Sequence, residues 1–133
     1  MKNIILVLVV SSVLFSCNKE TLENRSLLVG KWNWKSSLQN NGTQMLPRDA
    51  SVTDSNFVVF TSDNFTNNAA CLIIPLKEGN YKLKEVSNKQ ILIFKSPNTT
   101  PDTFYVSVTN TRLDLKNVHE NYSWTHTFIK RDN

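Results

Sequence analysis

The chain has 133 residues, which is enough for one domain with one hydrophobic core. Fifteen basic and eleven acidic residues give a net charge of +4, and the basic residues are spread along the chain. Because no block of Lys and Arg forms a concentrated positive patch, the sequence does not predict a nucleic-acid-binding protein.

The first residues predict an export signal rather than part of the fold. Lys2 supplies a positive charge, and residues 4–15 form an apolar run. This run is shorter than the roughly 20 apolar residues that a transmembrane helix needs. It ends in the tetrad Leu-Phe-Ser-Cys at residues 14–17, which resembles the lipobox of bacterial lipoprotein signal peptides.

The lipobox resemblance implies cleavage before Cys17 and acylation of this cysteine, with palmitate among the attached chains. We therefore expect residues 1–16 to be a signal peptide and Cys17 to be the lipid attachment site. Each buried CH₂ group contributes about 0.8 kcal/mol, so two or three acyl chains hold a protein stably on a membrane. The expected location is the bacterial cell envelope, with the outer membrane as the first candidate and a periplasmic or surface-exposed face.

The other cysteine, Cys71, is expected to be a small buried apolar residue if Cys17 carries lipid. Alternatives remain open. The N-terminus can be a plain secretory signal or a buried helix that happens to contain a cysteine, and Cys17 can form a disulfide with Cys71 in an oxidising compartment.

Residues 17–26 are polar and predict a tether, with a short helical turn near residues 20–24. From Gly30 onward the apolar residues alternate with the period of strands, and no stretch shows a sustained helical period. The predicted strand segments are residues 31–38, 56–61, 65–66, 71–74, 81–86, 90–95, 103–109, 112–116 and 123–129. In the first segment, the alternation predicts Trp32, Trp34, Ser36 and Leu38 on one face. About eight strands joined by hairpins predict an all-β, antiparallel up-and-down barrel over residues 27–133, since closure removes both sheet edges.

Several short motifs resemble the lipocalin-like lipoproteins of Bacteroidetes. A lipobox and a short tether precede Gly30-Lys31-Trp32, and lipocalins carry Gly-x-Trp at the same place on the first strand. Residues 60–65 are similar to the aromatic, turn, aromatic hairpin of these proteins. The resemblance implies a lipocalin-like barrel in which Trp32, after Gly30, plugs the closed end. It also implies that a basic residue of the last strand, Lys130 or Arg131, packs across this tryptophan.

Aromatic residues on the predicted inner face supply the candidate ligand cavity. These residues are Trp34, Tyr81, Phe104, Trp124, His126 and Phe128. They can line a cavity for a small hydrophobic molecule, with His126 as a polar contact. They can equally form a packed core, because an eight-stranded barrel is narrow enough to be filled by its own side chains.

The sequence does not predict catalysis, a metal or a cofactor. Ser107, His126 and Asp114 are the residue types of a hydrolase triad, but no Gly-x-Ser-x-Gly motif accompanies them. His119, His126 and one cysteine lack the spacing of zinc ligands. No Gly-rich phosphate-binding loop is present. We therefore expect a binding protein, and we expect it to be a monomer.

The leading interpretation is an envelope lipoprotein whose barrel binds a small hydrophobic ligand. The alternative is a protein-binding lipoprotein, an inhibitor or an envelope-assembly partner, that acts through its loops and has a filled barrel. Loops 39–55 and 96–102 would then matter most, through Arg48, Asp49 and Asp102. An internal void favours a ligand, whereas a filled interior beside an exposed apolar patch favours a partner.

Overall fold

A computed structural model of the chain describes residues 22–46, 56–72, 77–117 and 123–131. The predicted signal peptide, Cys17, Arg48, Asp49 and His119 lie outside the described residues. The described elements are α1 (Leu22–Leu28), β1 (Gly30–Gln39), β2 (Gln44–Met45), β3 (Phe57–Phe60), β4 (Asn64–Asn67), β5 (Glu78–Val86), β6 (Lys89–Lys95), β7 (Asp102–Val108), β8 (Arg112–Asn117) and β9 (Trp124–Lys130). Among the described residues no helix is long and apolar enough to cross a membrane.

The strands form one antiparallel sheet that closes on itself. From β3 to β9 each strand pairs with the next in the sequence, and β9 returns to pair with β1. The two-residue strand β2 pairs with the end of β1, beside the β1–β3 pairing. Eight strands therefore make the closed wall, and the predicted all-β, antiparallel up-and-down barrel is confirmed.

Alternation of side chains explains why these segments form strands in this register. In β5, Tyr81 and Leu83 are buried while Lys82 and Lys84 face solvent. Leu83 of β5 lies opposite Leu92 of β6, which is also fully buried. A slip of one residue would move every core side chain to the outer face, so the apolar pattern fixes the strand pairing.

The barrel has two different ends. The closed end carries the turns at residues 61–63, 87–88 and 109–111, together with the start of β1 and the end of β9. The opposite end, which we call the mouth, carries the turn at residues 40–43, the loop at 96–101 and the starts of β7 and β9. The helix α1 immediately precedes β1 and therefore lies at the closed end.

Trp32 and Lys130 meet at the closed end as cross-strand partners of β1 and β9. The Trp32 side chain is fully buried, and its Nε1 donates a hydrogen bond to the carbonyl oxygen of Leu28 at 2.7 Å. Lys130 Nζ lies 5.1 Å from the centroid of the indole and donates to the carbonyl oxygen of Leu27 at 3.1 Å. Both residues therefore bind the end of α1, which covers this end of the barrel.

Gly30 and Arg131 flank this closure. Gly30 has a φ angle of +132°, which residues with a side chain rarely adopt. A Cβ atom there would also lie only 3.0 Å from Lys130 Cε, so glycine leaves room for the lysine. Arg131 is exposed, and its backbone nitrogen donates to the carbonyl oxygen of Lys31 at 3.1 Å. Of the two basic residues expected near Trp32, the structure places Lys130 on the indole.

Aromatic side chains of β3, β4, β5 and β6 fill part of the interior. Phe60, Phe65, Tyr81 and Phe94 are each at most 2% exposed. Phe60 contacts Tyr81 edge to face with ring centroids 5.1 Å apart, and Phe65 contacts Phe94 in the same way at 4.6 Å. This part of the barrel is a packed core of the usual protein density, not a channel.

The segment predicted as a strand at residues 71–74 differs from that expectation. Cys71 lies in a turn and Leu72 is outside any strand, while residues 73 and 74 lie outside the described residues. The Asn67 side chain accepts a hydrogen bond from the backbone nitrogen of Ala69 at 3.0 Å, and Leu72 N donates to Ala69 O at 3.2 Å. Asparagine therefore stabilises a turn where the apolar composition predicted a strand.

The N-terminal boundary also contains more structure than the sequence predicts. The helix α1 begins at Leu22, within the predicted tether at residues 17–26, and ends at Leu28, which is fully buried. Arg25 Nη2 donates to Asp63 Oδ1 at 2.9 Å, which joins the helix to the turn between β3 and β4. A helix of seven residues is too short to show a sustained period in the sequence.

Replacement of Trp32 by alanine should destabilise the protein by about 3–5 kcal/mol, because it removes a fully buried indole and leaves a cavity. Trp124→Ala is the matched control, since Trp124 is only half-buried, and it should cost about 1 kcal/mol. Urea denaturation of both variants measures the difference. Equal losses would contradict the role of Trp32 as the side chain that closes the barrel.

Candidate functional site

A cavity of about 310 Å³ opens at the mouth of the barrel. It is lined by Met45, Ala70, Cys71, Asp102, Thr103, Phe104, Asn117, Trp124 and His126. These residues come from β2, the turn after β4, β7, β8 and β9, so the cavity is built by the barrel's own mouth. Its lining combines aromatic faces with several polar side chains.

A hydrogen-bonded row of three side chains lies at the base of this cavity. Trp34 Nε1 donates to Ser37 Oγ at 3.0 Å, and Ser37 Oγ is hydrogen-bonded to His126 Nδ1 at 2.7 Å. All three side chains are buried, and Ser37 is 0% exposed. Buried polar groups that are paired in this way avoid the penalty of burial without a partner and hold one another in place.

A β-bulge in β1 brings Ser37 to His126. Trp34 lies opposite Phe128, but Ser36 lies opposite Thr127, so β1 contains one extra residue at Lys35. The extra residue reverses the alternation beyond it. Ser37 consequently points inward and Leu38 is 52% exposed, whereas the sequence predicted Ser36 and Leu38 on the inner face with Trp32 and Trp34.

Burial sets the protonation state of His126. Desolvation lowers the pKa of the imidazole from 6.5 to about 4, so the ring is neutral at physiological pH. With Nδ1 bonded to Ser37, Nε2 is the ring nitrogen left for a ligand, and the described residues show no partner for it. A neutral imidazole can donate or accept one hydrogen bond there, according to its tautomer.

Cys71 lies beside the same row. Burial raises the pKa of its thiol from 9.0 to about 12, against a smaller opposing effect of a hydrogen bond with Ser37. The thiol is therefore neutral and a poor nucleophile at physiological pH. Cys71 is a buried free thiol in the structure, and it behaves as the small apolar residue that the sequence predicts.

The structure brings together only some of the aromatic residues predicted to line the cavity. Phe104, Trp124 and His126 line it, and Trp34 is connected to His126 by two hydrogen bonds through Ser37. Trp124 and His126 are stacked, with ring planes 6° apart and centroids 6.4 Å apart.

Tyr81 and Phe128 do not line this cavity, and both lie deeper in the barrel. The Tyr81 hydroxyl donates to the carbonyl oxygen of Thr61 at 2.7 Å, which places it at the closed end. Phe128 is fully buried in the core between its cross-strand neighbours Trp34 and Leu113. The alternation of side chains along a strand predicts which of them point inward, but it does not predict how far each lies from the mouth of the barrel.

The three residues that could form a hydrolase triad are not assembled. Ser107 and Asp114 are cross-strand partners on the outer face, whereas His126 points inward. Asp114 instead accepts hydrogen bonds from Thr127 Oγ1 at 2.7 Å and from Arg112 Nε at 2.8 Å. No group of three or more His, Cys, Asp or Glu side chains in the described segments could hold a metal ion.

Two further features of the surface bear on function. Leu38, Met45 and Leu46 are exposed at the rim of the mouth, with Leu46 61% exposed. At the other end, two open grooves of about 480 and 630 Å³ lie beside α1. Charged and polar side chains dominate both grooves, so neither resembles a cavity for an apolar ligand.

Comparison with protein-family models, with curated protein sequences and with solved structures found no match to this chain. The function is therefore inferred from the geometry of the mouth and closed end, and from the residues that precede the barrel.

The buried state of His126 predicts a loss of stability in acid. Between pH 6.5 and pH 4 the unfolded chain binds a proton at this position and the folded protein does not, so stability falls as the pH is lowered. The loss between pH 7 and pH 4.5 should be about 2–3 kcal/mol from this group alone. Asp102 and Cys71 line the same cavity, but desolvation is the cause of the shift in the His126 pKa.

His126→Asn isolates this contribution, because its amide can retain a hydrogen bond to Ser37 and does not titrate. Urea denaturation at pH 7 and pH 4.5 should show a decline smaller in the variant by about 2–3 kcal/mol. An identical decline in both proteins would mean that His126 is not buried in its neutral form.

Proposed function

We propose that this protein is an acylated lipoprotein of the bacterial cell envelope, anchored to a membrane through Cys17. Its lipocalin-like barrel, acting as a monomer, would bind a small hydrophobic ligand at the mouth. The observation that carries the ligand proposal is the 310 Å³ cavity between Phe104, Trp124 and His126. The anchor proposal is supported by the lipobox, and the Gly30-Lys31-Trp32 motif supports the lipocalin-like relationship.

The packed core limits the size of the ligand. Phe128 follows His126 on β9 towards the closed end and is fully buried, and the fully buried Phe94 contacts Phe104 with ring centroids 5.7 Å apart. These rings leave no room for a long acyl chain along the barrel axis. The cavity volume lies at the lower end of the range for small-molecule sites, roughly 300–1,000 Å³. A compact molecule with a single ring fits these limits better than a fatty acid.

The lining of the cavity favours a ring with one polar group. Phe104 and the stacked pair of Trp124 and His126 offer aromatic surface for packing. His126 Nε2 and the Asn117 side chain offer hydrogen bonds, and Asn117 Oδ1 is a buried oxygen with no partner in the described structure. A ligand group that bonds these atoms would be oriented while its ring is desolvated.

Binding without catalysis is the proposal that the side-chain chemistry supports. Ser37 is fully buried behind His126, so its hydroxyl lies out of reach of a substrate in the cavity. The Cys71 thiol has a pKa of about 12 and stays protonated. An activated nucleophile needs a base and access to the substrate, and the described residues of the cavity do not combine the two.

The second candidate is the binding of a protein partner at the same end of the barrel. It is favoured by the apolar side chains of Leu38, Met45 and Leu46, which are exposed together at the rim. Exposed apolar groups that cluster beside a mouth mark interaction sites as well as ligand entrances. Leu46→Glu would weaken a partner at the rim while leaving the interior of the cavity unchanged.

The ligand proposal is tested by saturation-transfer NMR with indole, phenol and benzoate as single-ring probes and oleate as the long-chain comparison. We expect at least one ring probe to bind the wild-type protein. The same probe should not bind the Ala70→Trp variant, because the new indole would fill the cavity. Thr66→Trp is the control, because it places the same side chain on the outer face of β4.

Native mass spectrometry of the purified protein complements this test by detecting a molecule retained from the cell. Absence of binding by every ring probe, or equal binding by both tryptophan variants, would contradict a ligand site at the mouth. Stronger binding of oleate than of the ring probes would contradict the size limit set by the core.

A further inference from the structure

We infer that the closed end of the barrel rests on anionic phospholipid headgroups, so that the mouth and its cavity face away from the membrane. This orientation rests on the proposed acylation of Cys17. The closed end would then be a second interaction surface, opposite the proposed ligand site, and its partner would be the anionic headgroups.

The short connection between Cys17 and α1 limits where the anchor can hold the barrel. Four residues, 18–21, lie between Cys17 and Leu22, where α1 begins, so the connection has five residue-to-residue steps. An extended chain covers at most about 3.3–3.6 Å per residue, so this connection spans about 18 Å at most. The start of α1 must therefore remain close to the membrane surface.

The helix α1 is bound to the closed end by contacts with three different parts of the barrel. Trp32 and Lys130 hydrogen-bond the carbonyl groups at its C-terminal end, and Arg25 pairs with Asp63. The mouth lies at the other end of β1, a ten-residue strand about 33 Å long. For the mouth to reach the membrane, α1 would have to detach from the barrel.

The closed end also carries an excess of positive charge. Lys82, Lys84 and Lys89 are exposed there. Two of the described carboxylates at this end are already paired, since Asp63 binds Arg25 and Asp114 binds Arg112. Glu85 at this end is half-buried, and α1 contributes one further acidic residue, Glu23. Basic residues close to an anionic membrane surface are attracted to it, so these exposed charges favour contact between the closed end and the headgroups.

The shape of this end suits a layer of lipid headgroups. Lys82 and Lys84 line one of the two grooves beside α1, and Lys89 lines the closed-end part of the other, which extends along the outer wall to Lys116. Ammonium groups that line a groove are suitable partners for lipid phosphates. Val86 is also 48% exposed at this end, on the turn between β5 and β6, where an apolar side chain can enter the interfacial layer.

The orientation is tested with the full acylated protein in nanodiscs that contain phosphatidylglycerol, after mass spectrometry has established acylation of Cys17. A fluorophore is attached through Val86→Cys at the closed end or through Leu46→Cys at the mouth, while the buried Cys71 thiol stays unlabelled. A quencher on the lipid headgroup reports proximity. We expect at least threefold stronger quenching at position 86 than at position 46.

Charge reversal tests whether the lysines cause this orientation. In the variant Lys82→Glu/Lys84→Glu/Lys89→Glu, quenching at position 86 should fall to half or less while the protein stays anchored. High salt should have the same effect on the wild-type protein, because exposed charges are screened. Lys77→Glu/Lys95→Glu is the control, since both lysines are exposed at the mouth end, and it should leave quenching unchanged.

Equal quenching at the two positions, or stronger quenching at position 46, would overturn the proposed orientation of an acylated protein. Unchanged quenching after charge reversal would overturn the role of the anionic headgroups. An unmodified Cys17 in the mass spectrum would instead refute the anchor itself, and this orientation with it, whereas ligand binding at the mouth would be unaffected.

Discussion

The pairing of β1 with β9 is the constraint on which the rest of the structure depends. These strands are the first and last of the barrel wall, and their pairing runs from Trp32 opposite Lys130 to Gln39 opposite Trp124. The part of this pairing at the closed end places the ammonium group of Lys130 over the indole of Trp32, and both side chains hydrogen-bond α1. The part at the mouth places Ser37 beside His126. One seam therefore closes the barrel, covers one end and builds the base of the cavity at the other.

The two ends of this seam have opposite physical characters, which separates the packed core from the cavity. Below mid-height, aromatic and aliphatic side chains exclude water and supply the hydrophobic stabilisation. At the mouth, the interior contains Ser37, His126 and Asn117, and a void remains. Polar groups in such a place are tolerated because each is held by a partner or reaches the cavity. The protein thus keeps a packed base beneath a small cavity, and α1, which follows the proposed anchor in the sequence, covers the other end of the base.

The sequence was sufficient to predict the architecture, because strand alternation and hairpin turns are local patterns. It was insufficient for three features that depend on tertiary context. The bulge at Lys35 reverses which residues of β1 face inward, so Ser37 was missed as a site residue and Ser36 was misplaced. Asn67 stabilises a turn within an apolar segment that resembles a strand. The helix α1 is held by the barrel, through Trp32 and Lys130, rather than by a helical pattern of its own. A serine after two inward tryptophans gives no signal of a bulge until its cross-strand partner is known.

The register of the seam between β1 and β9 can be measured directly by cross-strand nuclear Overhauser effects in the folded protein. The structure predicts backbone contacts between Trp34 and Phe128 and between Ser37 and His126, with Lys35 without a partner in β9. A regular register without the bulge would instead place Ser36 opposite His126. That result, or the absence of any contact between β1 and β9, would contradict both the closed barrel and the site at its mouth.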